Sequence, residues 1–253
     1  MLLCSGATAQ TVLVKGNPIT KSDPNLIQYR FAPGDWQNTA YKIVVEGVIY
    51  NFYEQSGFAP LNNINGSAFY NQEWKKATIR LKDGKDLPGQ DIIYMVSYQL
   101  MFWKVKNVGG KVEYKILDPN SINGVLFEDE NREQSAEFVP GFFDFEKQRY
   151  VAYFQLLGDG KGSLVKYHRR KIEFEYEYNN PAGKQSFVPQ YEYYTSGADS
   201  NWVLINPAEF KSQIANLHLA QKKGIEQWFQ KNSFNARKEK DLLAFFNWLR
   251  QQD

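Results

Sequence analysis

The sequence predicts an α+β protein that is mainly β, with a curved antiparallel sheet (a sandwich or half-barrel) and C-terminal helices packed on it. Three observations predict this class. Aromatic residues make up 16% of the 253 residues, and Tyr and Phe far outnumber Met, which favours pleated surfaces. Apolar and polar residues alternate along much of the chain. Helical spacing of apolar residues begins near residue 206.

The first ten residues, MLLCSGATAQ, resemble the end of a secretory signal peptide. Ala7-Thr8-Ala9 fits an A-x-A cleavage site before Gln10. We therefore expect residues 1–9 to be a signal-peptide remnant and the mature protein to be exported, either periplasmic or associated with the cell surface. The single cysteine, Cys4, lies inside this segment, so the mature chain would have no disulfide. Acylation of Cys4, as in a lipoprotein, is an alternative.

Strands are predicted along the first half of the chain. Thr11–Val14 predicts a short first strand, and residues 16–35 are rich in turn-forming side chains and predict a loop. From Tyr41 to Tyr53 both parities are β-branched or aromatic, which predicts a strand covered on both faces. Lys76–Lys82 alternates cleanly, and Asp83-Gly84 predicts the turn that ends this strand.

The longest apolar run lies between Asp91 and Leu117 and predicts a β-hairpin. Its turn is expected at Val108–Lys111, beyond which Val112, Tyr114 and Ile116 alternate with charged residues. Both parities of the first arm are apolar. We therefore expect both faces of this arm to be covered, the second of them by the C-terminal helices or by a ligand or partner.

Further strands are expected in the middle of the chain. They are Val125–Phe127, Phe138–Phe145 and Arg149–Leu157. The glycines of Gly158–Gly162 predict a second hairpin turn. In the strand that follows, Ile172–Tyr178 has a strict period of two that places its rings on one face and its glutamates in solvent.

After a last strand at Trp202–Ile205, three helices are predicted. Asn206 is expected to cap the first, with Pro207 at its first position and Glu209 at the third. Ile225 and Trp228 mark the second, and Asn235 is expected to cap the third.

No linker separates these segments, so we expect a single domain over residues 10–253. Its β-rich part spans residues 10–205 and its helical part residues 206–253.

Composition excludes several functional classes. The net charge of +2 is too small to imply a nucleic-acid partner, and no run of about 20 apolar residues predicts a transmembrane segment. The chain has two histidines, His168 and His218, and its only cysteine lies in the leader, which disfavours a Cys/His nucleophile or a zinc site. We therefore predict no catalytic residues, no metal and no cofactor.

Exposed aromatic rings are the best candidates for a ligand-binding surface. Trp103, Tyr153 and Tyr167 occupy strand positions that could face away from the main apolar side. Asp and Glu are plentiful, so a carboxylate-dependent glycan hydrolase is an alternative, although no pair stands out. A periplasmic lipid carrier is a further alternative and would need an apolar internal cavity of at least ~300 Å³.

Several motifs resemble a group of uncharacterised exported proteins of Bacteroidetes. The group has G-S-x-Y/F, a strand ending in D-G, and an "FEVLxDGKxxLL" hairpin; here Gly66-Ser67 precedes Phe69, and YVAYFQLLGDGKGSLVKY forms the hairpin. Its "EDL" helix is similar to Glu239–Leu242. At Ser97–Gln99, where relatives have Asn-Asp in a turn, this chain differs. The resemblance implies export and a β-rich fold, and it implies no catalytic residues.

The sequence thus favours an exported, non-enzymatic envelope protein that binds a partner protein or an apolar or glycan ligand. An envelope or outer-membrane protein is the partner that this interpretation suggests. The sequence does not indicate an oligomeric state.

Overall fold

The computed structural model describes most of the chain beyond residue 63. The described ranges are residues 12–14, 64–71, 73–106, 109–110, 112–129, 135–145, 148–158, 163–177, 180–196 and 202–252. The expected signal-peptide remnant, Cys4, the loop at 16–35, the strand at Tyr41–Tyr53 and the tip of the loop at Gly158–Gly162 lie outside these ranges.

The protein is mainly β, with three helices at the C-terminal end, and the predicted α+β class is confirmed. Its strands are β1 (Val12–Val14), β2 (Ile64–Asn65), β3 (Lys75–Leu81), β4 (Asp86–Met95), β5 (Leu100–Lys106), β6 (Val112–Ile116), β7 (Ile122–Phe127), β8 (Ala136–Phe145), β9 (Gln148–Gly158), β10 (Leu164–Glu177), β11 (Asn180–Ser196) and β12 (Trp202–Leu204). The helices are α1 (Phe210–Leu217), α2 (Lys222–Lys231) and α3 (Glu239–Arg250).

The chain divides into two compact units. The first comprises Met1–Pro18, Ala136–Tyr167 and Tyr191–Asp253, and the second comprises Ile19–Ser135 and His168–Gln190. The boundaries fall within β10 and β11. They do not coincide with the change from strand to helix near residue 206.

In the second unit, five strands form an antiparallel meander in the order β7-β3-β4-β5-β6. The predicted strand at Lys76–Lys82 corresponds to β3. The turn at Asp83-Gly84 is also confirmed, since Gly84 has a φ of 86°, which glycine adopts without a steric penalty. The Asp83 carboxylate accepts the backbone N–H of Lys85 at 3.0 Å and closes the turn.

The sequence predicted a single hairpin for the run from Asp91 to Leu117, and this prediction is wrong. A 3-10 turn at Val96–Tyr98 divides its first arm, so that β4, β5 and β6 form three strands. Gln99 has a left-handed φ of 54°. Its side-chain amide donates to the carbonyls of Val96 and His168 at 2.9 and 3.0 Å, and it accepts from the Tyr94 hydroxyl at 2.7 Å. These three hydrogen bonds, of which the one to His168 is non-local, stabilise a turn that the apolar pattern of the sequence does not reveal.

Both faces of this run are buried, which explains its apolar character on both parities. In the register, Ile93 pairs with Phe102 and Tyr94 with Met101. Neighbouring residues in a strand point to opposite faces, so these two pairs belong to different faces. All four side chains are at most 3% exposed.

The segment Ser67–Tyr70 is fastened to the second unit by Arg170. The guanidinium donates to the carbonyls of Ser67 and Phe69, each at 3.0 Å. Phe69 also bridges to Met95. Gly66 precedes this segment with a φ of 84°, and a Cβ there would lie 3.1 Å from the Phe187 carbonyl oxygen. The Gly66-Ser67-x-Phe69 motif therefore has a packing role here.

In the first unit, β8, β9 and β10 pair in antiparallel order, and β11 pairs with β12. The hairpin predicted around Gly158–Gly162 is confirmed by the pairing of Leu164 with Gly158. The predicted strands at Thr11–Val14 and Trp202–Ile205 correspond to β1 and β12, which pair in parallel.

The helices pack against strands of the first unit. Leu164 of β10 is buried with the apolar faces of all three helices, and Leu157 and Tyr193 extend the contact from β9 and β11. Aromatic rings fill this core at centroid distances of 4.8–6.2 Å. The buried helical residues are Phe210, Ile214, Ala215, Ile225, Leu242, Phe245, Phe246 and Leu249.

The first and third helices begin later than the sequence suggested. Asn206 accepts the backbone N–H of Ala208 in a turn at 3.1 Å, and α1 begins at Phe210 without a side-chain cap. Asn235 likewise accepts from the N–H of Arg237, and α3 begins at Glu239. Both asparagines use local hydrogen bonds to form turns rather than caps.

β11, the longest of the described strands, was not predicted from the sequence. Its first ten residues contain Pro181, Gly183 and Pro189, residue types that are depleted in strands. In the preceding strand, Glu173 and Glu175 are exposed, as the period of two predicted.

Candidate functional site

The three rings selected from the sequence are divided between the two units. Trp103 lies in the second unit, where it is half-buried and its indole N–H donates to the Gln90 side chain at 3.0 Å. Tyr153 and Tyr167 lie in the first unit. Tyr153 is 1% exposed and offers no face to a ligand. Tyr167 is half-buried against Phe154, with centroids 5.4 Å apart, and points to the opposite face of the strands from Tyr153.

Among the described residues, a groove between α1 and α2 is the strongest candidate site. Its volume is about 460 Å³, within the range of ligand-binding clefts, and it is open to solvent along its length. α1 and α2 each supply one wall. The lining residues are Lys211, Ser212, Ala215, Asn216, Lys222, Ile225, Glu226, Phe229 and Gln230.

The floor of the groove is apolar and rigidly supported. Ala215 is 7% exposed and Ile225 is 1% exposed. Phe229 stacks on Phe245 of α3, with centroids 5.2 Å apart and an interplanar angle of 11°. Because Phe229 lies in the aromatic core of the three helices, the floor is held in place by packing rather than by a loop.

The rim of the groove is positively charged. Lys211 projects over the Phe229 ring, with its Nζ 5.1 Å from the ring centroid, in a cation–π contact. Lys222 lies on the opposite wall. In the part of the chain that the structure describes, neither lysine forms an ion pair with a carboxylate. Residues 210–231 contain four lysines and one glutamate, Glu226.

A large apolar side chain is exposed beside this groove. Leu219, in the short 3-10 turn Leu219–Gln221 that joins α1 to α2, is 69% exposed. It is more exposed than the other large apolar residues noted on the described surface, Tyr191 and Leu204. Single exposed leucines are common on protein surfaces, so Leu219 has meaning only together with the groove.

A second polar cluster joins α3 to the strands of the first unit. Lys166 of β10 and the Tyr193 hydroxyl of β11 both donate to Glu239 Oε2 at 2.6 Å. The ammonium of Lys166 also lies 4.1 Å from the ring centroid of Tyr191, which is 47% exposed. We call these four residues the Glu239 cluster.

Within the Glu239 cluster, the Glu239 carboxylate is kept charged and the Tyr193 phenol is kept protonated. Burial disfavours the Glu239 charge, but the hydrogen bonds from Lys166 and Tyr193 outweigh this effect and lower the pKa of Glu239. Burial and the neighbouring carboxylate raise the pKa of Tyr193 well above its usual 10.0. A carboxylate held by two donors is a poor general base, so this cluster is suited to fastening α3 to the strands.

Within the ranges given above, no group of three or more His, Cys, Asp or Glu side chains is placed to hold a metal ion. Across the same residues, no helix is both long and apolar enough to cross a lipid bilayer.

The groove was not predicted from the sequence, although the spacing of some of its residues is visible there. Lys222, Ile225 and Phe229 follow the i, i+3, i+7 spacing of one helical face, and Lys211 and Ala215 are four residues apart. This spacing shows which residues share a face. Only the packing of α1 beside α2 shows that the two faces line one groove.

The chain matches no protein-family model, no curated protein and no solved structure. The similarity of its motifs to the exported Bacteroidetes group therefore remains a prediction from the sequence.

Proposed function

We propose that this protein is an exported, non-enzymatic envelope protein that binds a partner protein or an apolar or glycan ligand in the groove between α1 and α2. The observation that supports this role is an open groove whose apolar floor is fixed by core packing and whose rim has two lysines without a carboxylate partner. Exposed apolar surface of this kind, rimmed by polar groups, is typical of binding sites.

Site-specific photo-crosslinking in the native envelope tests the binding role. A photoreactive phenylalanine analogue replaces Asn216, which is exposed on the wall of the groove, or Gln227, which is exposed on α2 and does not line it. We expect a discrete adduct from position 216 and none from position 227. Equal labelling from both positions, or none from either, would contradict the proposal.

A groove-filling variant provides the second measurement. Asn216→Trp places a large ring at an exposed position of the wall, and Gln227→Trp is the matched control. Co-purification followed by mass spectrometry of bound proteins and small molecules should lose a specific component in Asn216→Trp alone. Both variants should unfold like the wild type, because neither position is buried.

Export is tested independently of binding. The motif Ala7-Thr8-Ala9 leads us to expect a mature N-terminus at Gln10 in a full-length gene product. Cell fractionation with N-terminal sequencing of the purified protein measures this. A cytosolic protein that retains residues 1–9 would refute export and leave the groove proposal standing.

The lipid-carrier alternative requires an apolar internal cavity of at least ~300 Å³. The groove has a volume of about 460 Å³ but is open to solvent, so it supports this alternative only by its volume. Organic extraction of the natively purified protein distinguishes this alternative. A lipid present in wild type and absent from Asn216→Trp would favour a carrier.

A further inference from the structure

We infer that the groove between α1 and α2 binds an amphipathic α-helix of a partner protein, with carboxylates beside the apolar face of that helix. This inference rests on the proposed binding role and names the chemical class of the partner. It follows from the shape of the groove, its charge and its polar rim.

The shape of the groove suits a helix. An amphipathic helix binds through apolar residues at i, i+3, i+4 and i+7 laid into a channel between helices. α2 has 10 residues and is therefore about 15 Å long, the length of roughly three helical turns. The apolar floor, formed by Ala215, Ile225 and Phe229, accepts one such stripe.

The charge of the groove selects acidic partners. α2 begins with Lys222 and Lys223 and has no acidic residue in its first turn, where a carboxylate would be favoured by the helix dipole. The positive N-terminus of α2 and its two lysines thus add to one another, and Glu226, one turn later, is the one carboxylate that the groove lining sets against them. Lys211 supplies a further positive charge from the other wall, held over Phe229 at 5.1 Å. A partner with glutamates or aspartates on its flanks would supply the missing negative charge.

The rim and its surroundings favour a polypeptide over a lipid chain. Ser212, Asn216 and Gln230 line the groove with exposed groups that donate and accept hydrogen bonds. Glu226 adds a carboxylate to the lining that can accept a hydrogen bond from a donor on the partner helix. Leu219, in the turn that joins α1 to α2, is a further exposed apolar side chain near the ends of both walls.

A pair of designed peptides provides the test. The acidic probe is a fluorescent, helix-stabilised peptide with leucines at i, i+3, i+4 and i+7 and glutamates on both flanks. Its basic twin has lysine at every glutamate position. Fluorescence anisotropy against the full-length chain measures both affinities. We expect the acidic probe to bind at least about 10-fold more tightly than its twin, with an affinity that weakens as salt rises.

Charge reversal of the groove supplies the decisive comparison. Lys211→Glu with Lys222→Glu should weaken the acidic probe about 10-fold and strengthen the basic twin. The matched control, Lys231→Glu with Lys240→Glu, makes the same change in net charge at exposed helical positions that do not line the groove. It should change either affinity less than about threefold. Asn216→Trp should abolish binding of the acidic probe by filling the groove.

Each other outcome overturns the inference. Equal losses in the groove and control variants would show general charge attraction, and failure of the acidic probe to bind wild type at about 1 mM would exclude this partner class. A lipid occupant would be identified if a fluorescent fatty acid or anionic phosphatidylglycerol vesicles bound instead of the peptide and this binding were lost in Asn216→Trp. The proposed binding role would then survive. If Asn216→Trp changes neither the binding of these probes nor the components that co-purify from the native envelope, the groove is not a binding site and both proposals fail.

Discussion

Glu239→Gln tests how α3 is fastened to the strands. The substitution keeps the size of the side chain and removes the charge that receives hydrogen bonds from Lys166 and Tyr193, each at 2.6 Å. The ammonium of Lys166 is left without its carboxylate, and its side chain is only 13% exposed. Glu239 also lies in the first turn of α3, where its charge interacts favourably with the helix dipole.

The expected decrease in the free energy of unfolding of Glu239→Gln follows from these contacts. A hydrogen bond to a charged group contributes roughly 1.5–3 kcal/mol when it is shielded from water. The Glu239 side chain is 36% exposed, so screening reduces each bond to about 1 kcal/mol, of which glutamine retains about half. Adding about 0.5 kcal/mol for the helix dipole and about 0.5 kcal/mol for the unpaired Lys166 gives a total loss of about 2 kcal/mol.

Urea unfolding followed by tryptophan fluorescence measures this loss, because Trp228 and Trp248 lie in the helical core. Glu226→Gln is the matched control: Glu226 is exposed, has no hydrogen-bond partner in the described structure, and should change stability by less than about 0.5 kcal/mol. A double-mutant cycle with Lys166→Met should show coupling above about 0.5 kcal/mol. Additive effects, or a Glu239→Gln variant as stable as wild type, would refute the role assigned to this cluster.

Three further predictions concern pH, the aromatic core and the Ser67–Tyr70 segment. The pKa of Glu239 in the folded protein lies below its ordinary value of 4.5. The charged Glu239 therefore makes its full contribution to the free energy of unfolding above pH 4.5, and this contribution is lost as the pH falls through the lower folded pKa. The stability difference between wild type and Glu239→Gln should therefore be constant near neutral pH and shrink in acid; a difference that grows in acid would contradict this. Phe245→Ala removes a ring that is 0% exposed and should cost about 3–5 kcal/mol by urea unfolding, whereas a loss below about 1 kcal/mol would show that α3 is not part of the core. Arg170→Lys cannot donate to the Ser67 and Phe69 carbonyls through a planar fork, so hydrogen exchange at residues 67–70 should accelerate, and the exposed control Arg237→Lys should leave it unchanged.

Much of the fold is predictable from local patterns. Alternation identified β3, and the glycine-rich stretch at 158–162 identified the β9–β10 hairpin. The stripe of Leu242, Phe245, Phe246 and Leu249 identified the buried face of α3. Such patterns are readable because burial on one face repeats with the period of the backbone. The Asp91–Leu117 run was misread because both of its faces are buried, so a turn within it leaves no break in polarity.

The candidate site was less predictable. Trp103, Tyr153 and Tyr167 were chosen by strand parity, but parity does not state which face is covered, and Tyr153 proved to be buried. The groove depends on α1 and α2 lying side by side. In the sequence, Lys211 and Lys222 are only positive charges on two separate predicted helices.

The sequence by itself determined that the protein is mainly β with C-terminal helices, because strand and helix periods and turn residues act over a few neighbouring positions. The tertiary structure alone decided where the 91–117 run turns, where α1 and α3 begin, and which charges meet. Gln99 turns the chain by bonding to the carbonyl of a residue 69 positions away, and Lys166 meets Glu239 across 73 positions. Contacts between residues so distant in sequence depend on the packing of whole elements, which no local pattern specifies.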